Sequence, residues 1–289
     1  MSKLRGAVVV VNYASTGLLH CNLVPLGEVA QVVVVDNFSS LEERSGVDEL
    51  ARQQGWELVH ADNRGFAAGV NVGVARARAL GCDVVLLQNP DVSVRPDVVV
   101  ALLDQAGQAP DALVSPALRG VDGQDLPVLG TLDLSRGTTR TRGVLEPGLE
   151  RWMTAACLAM SVALWERLGG LDEDYFMYWE DVDLSHRCLA IGGRFVVRPD
   201  LVATHEVGGT QGTGKSSLYR YYNCRNRLLF ARRHLARRRA LRWALHTPIY
   251  AYRVLLRSGR RPLVQRPLRT IAPVLLGSAA GLRVVLVGR

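Results

Sequence analysis

Acidic residues are missing from the last 83 positions: no Asp or Glu follows Glu206, whereas 18 Lys and Arg do. Residues 1–206 hold all 27 acids and 17 bases, a net of −10, against +18 for the remainder. Carboxylate chemistry is thereby excluded from the final third, which reads as a cationic extension suited to an anionic surface or a diphosphate. Cysteine is sparse and scattered. Cys21, Cys82, Cys157, Cys188 and Cys224 are odd in number and never spaced C-x-x-C, which excludes a disulfide framework and a cysteine-based zinc site. Aromatic residues make up only 6%. The opening Met1-Ser2-Lys3-Leu4-Arg5-Gly6 lacks the regions of a secretory leader, so none is expected. Apolar stretches at 240–257 and 271–287 are interrupted by Pro248, Gly277, Gly281 and Arg283. With no clean run of about 18 residues, no membrane-crossing helix is expected, and basic amphipathic helices lying on a membrane surface fit better. No internal repeat is evident.

What is present is an alternation of buried-type strands and helices. Apolar runs at 4–11, 32–35 and 84–88, with a weaker one at 57–60, alternate with helical segments at 41–54 and 66–80. This order predicts an α/β fold with a mostly parallel sheet flanked by helices, in which ligands bind beyond the carboxyl ends of the strands. Polar residues stand at those ends: Asn12, Asp36, Asn63 and Asp91. Residues 120–150, rich in Gly, Pro, Asp and Thr, predict an irregular excursion. Helices are expected at 161–168 and 181–191, short strands at 194–197 and 201–203, and one basic helix from Leu218 to about Arg239.

Asp36 ends a buried strand and is either an Asx cap or an acceptor for a base or ribose. The run Asn63-Arg64-Gly65-Phe66-Ala67-Ala68-Gly69-Val70-Asn71-Val72-Gly73 supplies either close helix packing or a backbone that a diphosphate can approach. Asn89-Pro90-Asp91 offers a carboxylate for a helix cap or a divalent cation. The stretch Phe176–Leu184 combines Tyr178 and Trp179 with Glu180, Asp181 and Asp183. Aromatic walls suit a sugar face, and a carboxylate suits proton abstraction; the alternative is a helix start favoured by its dipole. Adjacent helical residues point about 100° apart, so only one of the three carboxylates can face a substrate well. Residues Gly209 to Ser216 match the phosphate-loop pattern G-x-x-x-x-G-K-[ST], the signature of a nucleotide hydrolase or kinase. No acid follows to hold the magnesium ion, so the match reads as fortuitous, with Lys215 a point charge for phosphate. A third reading, a non-catalytic protein binding membrane or nucleic acid through the basic extension, rests on charge alone.

Taken in order, these pieces resemble glycosyltransferase family 2, and within it the rhamnosyltransferase-like group. The matching positions are Val10-Val11-Asn12-Tyr13, Asp36-Asn37-Phe38-Ser39, the Asn63–Gly73 run and Asn89-Pro90-Asp91. They continue with Thr154-Ala155-Ala156-Cys157, Gly169-Gly170-Leu171-Asp172-Glu173, Tyr175–Asp183, His205 and Tyr221-Tyr222-Asn223-Cys224-Arg225-Asn226-Arg227. The resemblance spans about residues 4–235 and implies a GT-A-type fold and inverting sugar transfer.

It further implies that Asn12, Tyr13, Asp36, Asn63, Gly65, Phe66, Gly69, Asn71, Asn89 and Asp91 bind the nucleotide sugar. Asp91 and His205 would hold Mg²⁺ or Mn²⁺, and Asp181, with Glu180 beside it, would act as general base. Tyr178 and Trp179 would contact the acceptor, and Lys215 and Arg220 the diphosphate. Many members carry Asp-x-Asp where this chain has Asn89-Pro90-Asp91, which leaves one carboxylate for the metal. A catalytic domain is expected over 1–215, with its nucleotide-sugar half at about 1–118 and its acceptor half at 119–215. A membrane-associated basic helical extension is expected over 216–289. The expected partners are a nucleotide diphosphate sugar, first dTDP-L-rhamnose and then UDP-hexoses, a glycan or polyprenyl-diphosphate-linked acceptor, and an anionic membrane surface at the cytoplasmic face. Nucleic acid is not expected.

Overall fold

The structure, a computed structural model, describes residues 5–141, 145–206, 216–257 and 259–287. The chain runs β1 (Gly6–Asn12), α1 (Thr16–Leu23), β2 (Gln31–Asn37), α2 (Leu41–Gln54), β3 (Glu57–Ala61), α3 (Phe66–Ala79), β4 (Val84–Gln88), β5 (Val92–Val94) and α4 (Pro96–Gln108). It continues through β6 (Ala112–Gly120), β7 (Asp125–Leu126), β8 (Leu129–Asp133), β9 (Thr138–Arg140), β10 (Leu149–Met153), β11 (Cys157–Ser161), α5 (Val162–Leu168), α6 (Glu180–Ala190) and β12 (Arg194–His205). Five helices follow: α7 (Ser217–His234), α8 (Arg237–Leu245), α9 (Thr247–Arg257), α10 (Arg260–Gln265) and α11 (Pro267–Leu286).

The central sheet has the order β3-β2-β1-β4-β11-β6-β12-β5, with β7 on β6. β3, β2, β1 and β4 pair in parallel, as do β6 and β12; β11, between β4 and β6, runs against them. Val8 to Val11, Val32 to Val35 and Val84 to Leu87 are buried because helices cover both faces of the sheet, which is why these strands read as unbroken apolar runs. α2 is capped by Ser40, whose Oγ accepts the Glu43 amide at 3.1 Å, and it stops at Gly55, whose φ of 66° is left-handed.

Three expectations change. The excursion at 120–150 contains a second, three-stranded antiparallel sheet, β10-β8-β9. Its strands are only three to five residues long, too short for a visible alternation. The two short strands at 194–203 are one strand, bulged between Arg198 and Val202, where Pro199 cannot donate to the ladder. The basic helix ends at His234, and the separate α8 brings Trp243 onto Phe230, ring centroids 5.9 Å apart and nearly parallel.

A second core forms where the C-terminal helices meet the small sheet. Leu132, Tyr175, Trp179 and Val182 pack with Leu228, Phe230, Trp243 and Tyr250, so this core runs across the expected seam at 215/216. Arg227 lies inside it, fully buried, donating to the carbonyls of Gly137 (2.7 Å), Trp243 (3.0 Å) and Arg136 (3.0 Å). Burial pushes its pKa down to about 10. α11 differs from expectation. By length and composition this 20-residue helix is apolar enough to cross a membrane. The glycines that looked like breaks are contacts: a Cβ on Gly277 would lie 2.2 Å from the Tyr221 carbonyl oxygen of α7.

Candidate active site

The carboxyl end of the sheet, where the nucleotide sugar (the donor) is expected, is built by register. Asn12 at the end of β1 stands opposite Asp36 on β2, and Asp36 opposite His60 on β3. Asn12 is fully buried; its Oδ1 accepts the Ser15 amide at 3.2 Å, while its Nδ2 has no partner. Asp36 Oδ2 takes the Arg44 guanidinium at 2.5 Å and Oδ1 has no partner. Ser40, not Asp36, caps the following helix. Two buried polar atoms left open side by side are costly unless a ligand satisfies them. Tyr13, just beyond Asn12, is 48% exposed. Arg44 also lies over the Phe38 ring at 4.7 Å. Arg44 and His60 belong to this end and were not anticipated; an Arg one helical turn inside the element after Asp36 was the available signal.

Asp91 and His205 come together from 114 positions apart. His205 ends β12, and its Nε2 lies 3.3 Å from Asp91 Oδ1. The Asp91 carbonyl accepts the Glu206 amide at 2.9 Å, which fixes the two strand ends to each other. A carboxylate and an imidazole suit a divalent ion. Among the described residues no group of three His, Cys, Asp or Glu could hold one, so further ligands would have to come from substrate or water. Asn89 is half-buried beside them, its amide bonded to the Ala156 carbonyl at 2.9 Å.

The glycine-rich run has another use from the one expected. Gly65 has φ 100°, and a Cβ there would sit 2.2 Å from the Phe176 carbonyl oxygen. That same oxygen accepts the Phe66 amide at 2.7 Å. A Cβ on Gly69 would press on Val11 at 2.8 Å, so Gly69 brings α3 close to β1. Asn71 donates to the Leu171 carbonyl (2.8 Å) and Glu173 Oε1 (3.1 Å), and accepts the Leu171 amide (2.9 Å). Asn63 accepts from Asn37 and from the Gly65 amide, both at 3.2 Å. The close approach made by Gly65, Phe66, Gly69 and Asn71 is therefore to the chain itself. Gly65, Phe66 and Asn71 tie the loop at 171–176 to the start of α3, and Gly69 seats α3 on β1.

That loop delivers the carboxylates. Tyr178 and Trp179 have φ of 66° and 77°, left-handed values that cost side-chain-bearing residues on the order of 1–2 kcal/mol each. The buried Asn226 of α7 holds the turn, its Nδ2 donating to the carbonyls of Met177 (3.0 Å) and Tyr178 (2.8 Å). α6 starts immediately after, with Glu180, Asp181 and Asp183 in its first turn. The three carboxylates then separate. Asp183 faces inward, with His234 Nε2 2.5 Å from Oδ1 and Arg187 donating to Oδ2 at 2.7 Å. Burial opposes its charge, but these partners win and hold its pKa below the ordinary value. Glu180 and Asp181 line a cleft of about 590 Å³. Glu180 is 9% exposed with Oε2 unpartnered; burial, then the neighbouring Asp181, pushes its pKa well up. Asp181 accepts the Val182 amide at 2.8 Å, and burial raises it to about 6.

The opposite walls were not legible in the sequence. Trp152 comes from β10, Thr139 and Arg140 from β9, Tyr219 and Asn223 from α7, and Arg257 from α9. Tyr178 contributes an edge-to-face contact with Tyr219 at 5.3 Å. Trp179 borders the cleft, but it is only 3% exposed and its ring packs on Phe230 at 5.7 Å, so it is core more than sugar platform. Arg220 is buried on the first turn of α7, and burial lowers its pKa. Lys215 and the rest of the phosphate-loop match up to it lie outside the described residues.

Comparison with known proteins agrees with this architecture. A family model for glycosyl transferase family 2 matches residues 21–168. An N-acetylglucosaminyl-diphospho-decaprenol L-rhamnosyltransferase of Mycobacterium tuberculosis is 30% identical over 237 residues, covering 70% of this chain and 77% of the relative. Among solved structures, TarS 1-349 of S. aureus in complex with UDP superimposes with a TM-score of 0.53 at 16% identity, covering 98% of this chain and 90% of that one. GalNAc-T7 with UDP, GalNAc and Mn²⁺ gives 0.56 at 15% identity, covering 89% of this chain and 58% of that one. The fold is that of GT-A glycosyltransferases, and the chain belongs to glycosyl transferase family 2.

Proposed function

We propose that this enzyme moves a hexose, best L-rhamnose from dTDP-L-rhamnose, to a hydroxyl of a glycan or polyprenyl-diphosphate-linked acceptor, with inversion. The observation that carries the reading is Asp181: a carboxylate on a cleft wall whose pKa, raised to about 6, matches a base working near neutral pH. The donor lies over the ends of β1, β2 and β4, where Asn12 Nδ2 and Asp36 Oδ1 await partners. The rhamnosyltransferase relative supports the choice of sugar and of a lipid-linked acceptor. The exposed arginines and apolar side chains of α8 to α11 support a peripheral position on the cytoplasmic face of a membrane.

The acceptor oxygen attacks the anomeric carbon from the face opposite the diphosphate. Its proton passes to Asp181 as the new C–O bond forms, and the bond to the diphosphate breaks with its electron pair leaving on oxygen. Charge builds on a sugar resembling an oxocarbenium ion, as in glycoside hydrolysis. Burial and the neighbouring Asp181 push the Glu180 pKa well up, so Asp181 is the carboxyl of the pair that gives up its proton more readily and serves as the base. Asp91 and His205 fit a divalent ion that arrives with the donor, and Mg²⁺ or Mn²⁺ held there would neutralise the leaving diphosphate.

The test is a panel of nucleotide sugars with Mn²⁺, read by thermal shift and by transfer to an N-acetylglucosamine-diphospho-lipid. A dTDP-L-rhamnose shift with product of inverted anomeric configuration is expected, with UDP-hexoses and UDP-galactofuranose weaker. Failure of every nucleotide sugar to bind or react would reject the reading.

A further inference from the structure

The wall of the cleft facing Glu180 and Asp181 is cationic. Arg140 on β9 and Arg257 on α9 both line it, and among the described residues neither pairs with those carboxylates. Arg257 is held in place: one Nη2 donates to the Thr139 carbonyl at 3.0 Å, and its Cζ lies 5.9 Å from the Tyr250 ring centroid. The Tyr219 and Tyr250 side chains also interact with it. With the Thr139 carbonyl these contacts fix the guanidinium, whose fork geometry suits phosphate oxygens through the N–H donors that remain.

A second observation concerns what adjoins Arg257. At about 100° per residue, α9 buries Tyr250 and Val254 and turns Ile249, Tyr252 and Leu256 outward, 54%, 61% and 43% exposed. Arg257 stands at the border of these two faces. The cleft lining thus holds a carboxylate pair and two guanidiniums, and the helix that supplies Arg257 exposes Ile249, Tyr252 and Leu256, with Arg253 among them. A molecule matching those surfaces carries a hydroxyl, a phosphate or diphosphate, and a hydrocarbon chain.

The geometry points to Arg140 and Arg257 as a phosphate subsite for the acceptor, with the Ile249–Tyr252–Leu256 row of α9 taking the first part of its hydrocarbon chain. This rests on the transfer reading above and adds to it the residues that would take the acceptor's phosphate and the start of its chain. The donor diphosphate, leaving at the strand ends by Asp91, makes a separate demand on charge.

The experiment compares three acceptors bearing one sugar: a long polyprenyl diphosphate, a short-chain alkyl diphosphate, and a phosphate-free alkyl glycoside. Arg140→Gln, Arg257→Lys and the double Arg140→Gln/Arg257→Gln are assayed in the full-length enzyme. The double variant should raise KM for both diphosphate acceptors about 10–100-fold, with KM for the glycoside and for donor unchanged. Arg257→Lys, which keeps charge but loses the fork, should fall between. Ile249→Ser/Leu256→Ser should narrow the preference for the long chain over the short one. Equal loss on all three acceptors, or no loss on the diphosphates, overturns the subsite. Should the wild type act on none of the three, the transfer reading fails first. A bilayer phospholipid presents the same phosphate chemistry, so anionic vesicles are added to the short-chain diphosphate assay. No competition supports the acceptor, and competitive inhibition assigns the arginines to headgroups and overturns it.

Discussion

The donor end and the base cleft are built by opposite means. Asn12, Asp36 and Asp91 each end or follow a strand of one sheet, and local chain order puts them side by side. The cleft instead gathers β9, β10, α6, α7 and α9, with Thr139 touching Arg257 across 118 positions. The donor end leaves polar atoms open, and the cleft buries carboxyls until their pKa values rise. One region offers a ligand an open amide donor and an open carboxylate acceptor, and the other has its acid–base chemistry set by packing. Damage to distant packing should therefore reach the cleft and spare the donor end.

Arg227→Leu puts the most strain on that contrast. It removes the guanidinium that donates to the buried Gly137 and Trp243 carbonyls and the part-buried Arg136 carbonyl, and loss of this network should cost about 3–5 kcal/mol in chemical denaturation. The donor sheet keeps its own core, so nucleotide-sugar affinity of the folded variant should change less than twofold. A comparable loss of donor affinity would mean that the two regions are one unit.

Asp91→Ala probes the donor end from the other side. If Asp91 and His205 hold the ion as proposed, transfer should fall by on the order of 100-fold and lose its response to added Mn²⁺. Full activity of the wild type in excess chelator would remove the metal from the account.

Asp181→Asn separates function from stability. The folded carboxyl titrates near 6 and the unfolded one near 4, so the folded state binds the proton more tightly. Its contribution to stability is whole below about pH 4 and is lost as pH rises through about 6. The Asn variant escapes that loss and should be more stable at pH 8 by roughly 2 kcal/mol, a figure discounted for opening onto the cleft, and no more stable at pH 4. Equal stabilisation at both pH values would deny the shift.

Asn226→Asp is the mildest of these changes. It keeps the shape but loses the amide donor that holds the left-handed Tyr178–Trp179 turn. Turnover should drop about tenfold with donor KM unchanged, and the acid limb of the rate profile should move because the setting of Asp181 moves. A rise in donor KM alone would place the effect at the wrong region.

Legibility followed the same division. The strand ends, α2, α3 and the start of α6 could be read because each depends on neighbours within about twenty positions: apolar runs, a Ser cap, a Gly stop. Asp91 and His205 were expected together from family resemblance, and the structure puts them 3.3 Å apart. What could not be read depends on burial of unlike groups. Arg227 looks in sequence like one more cation on a solvated basic helix, yet three carbonyls make it a core residue. Trp179 looks like a sugar platform, yet Phe230 and Trp243, about 50 and 60 positions later, enclose it. Gly65 and Asn71 look like a phosphate cradle because small residues and amides serve either purpose, and only the position of Phe176 and Leu171 decides which. For the same reason Arg257 was counted as part of an undifferentiated basic extension and Arg140 as part of an irregular excursion.

The central claim, that Asp181 takes the acceptor's proton while the donor is held elsewhere, is tested most directly by turnover of Asp181→Asn at saturating donor, with donor affinity measured on the same preparation. Loss of transfer by about 10²–10⁴ with donor affinity intact is the predicted result. Near-normal turnover, or a matching loss of donor binding, would contradict it.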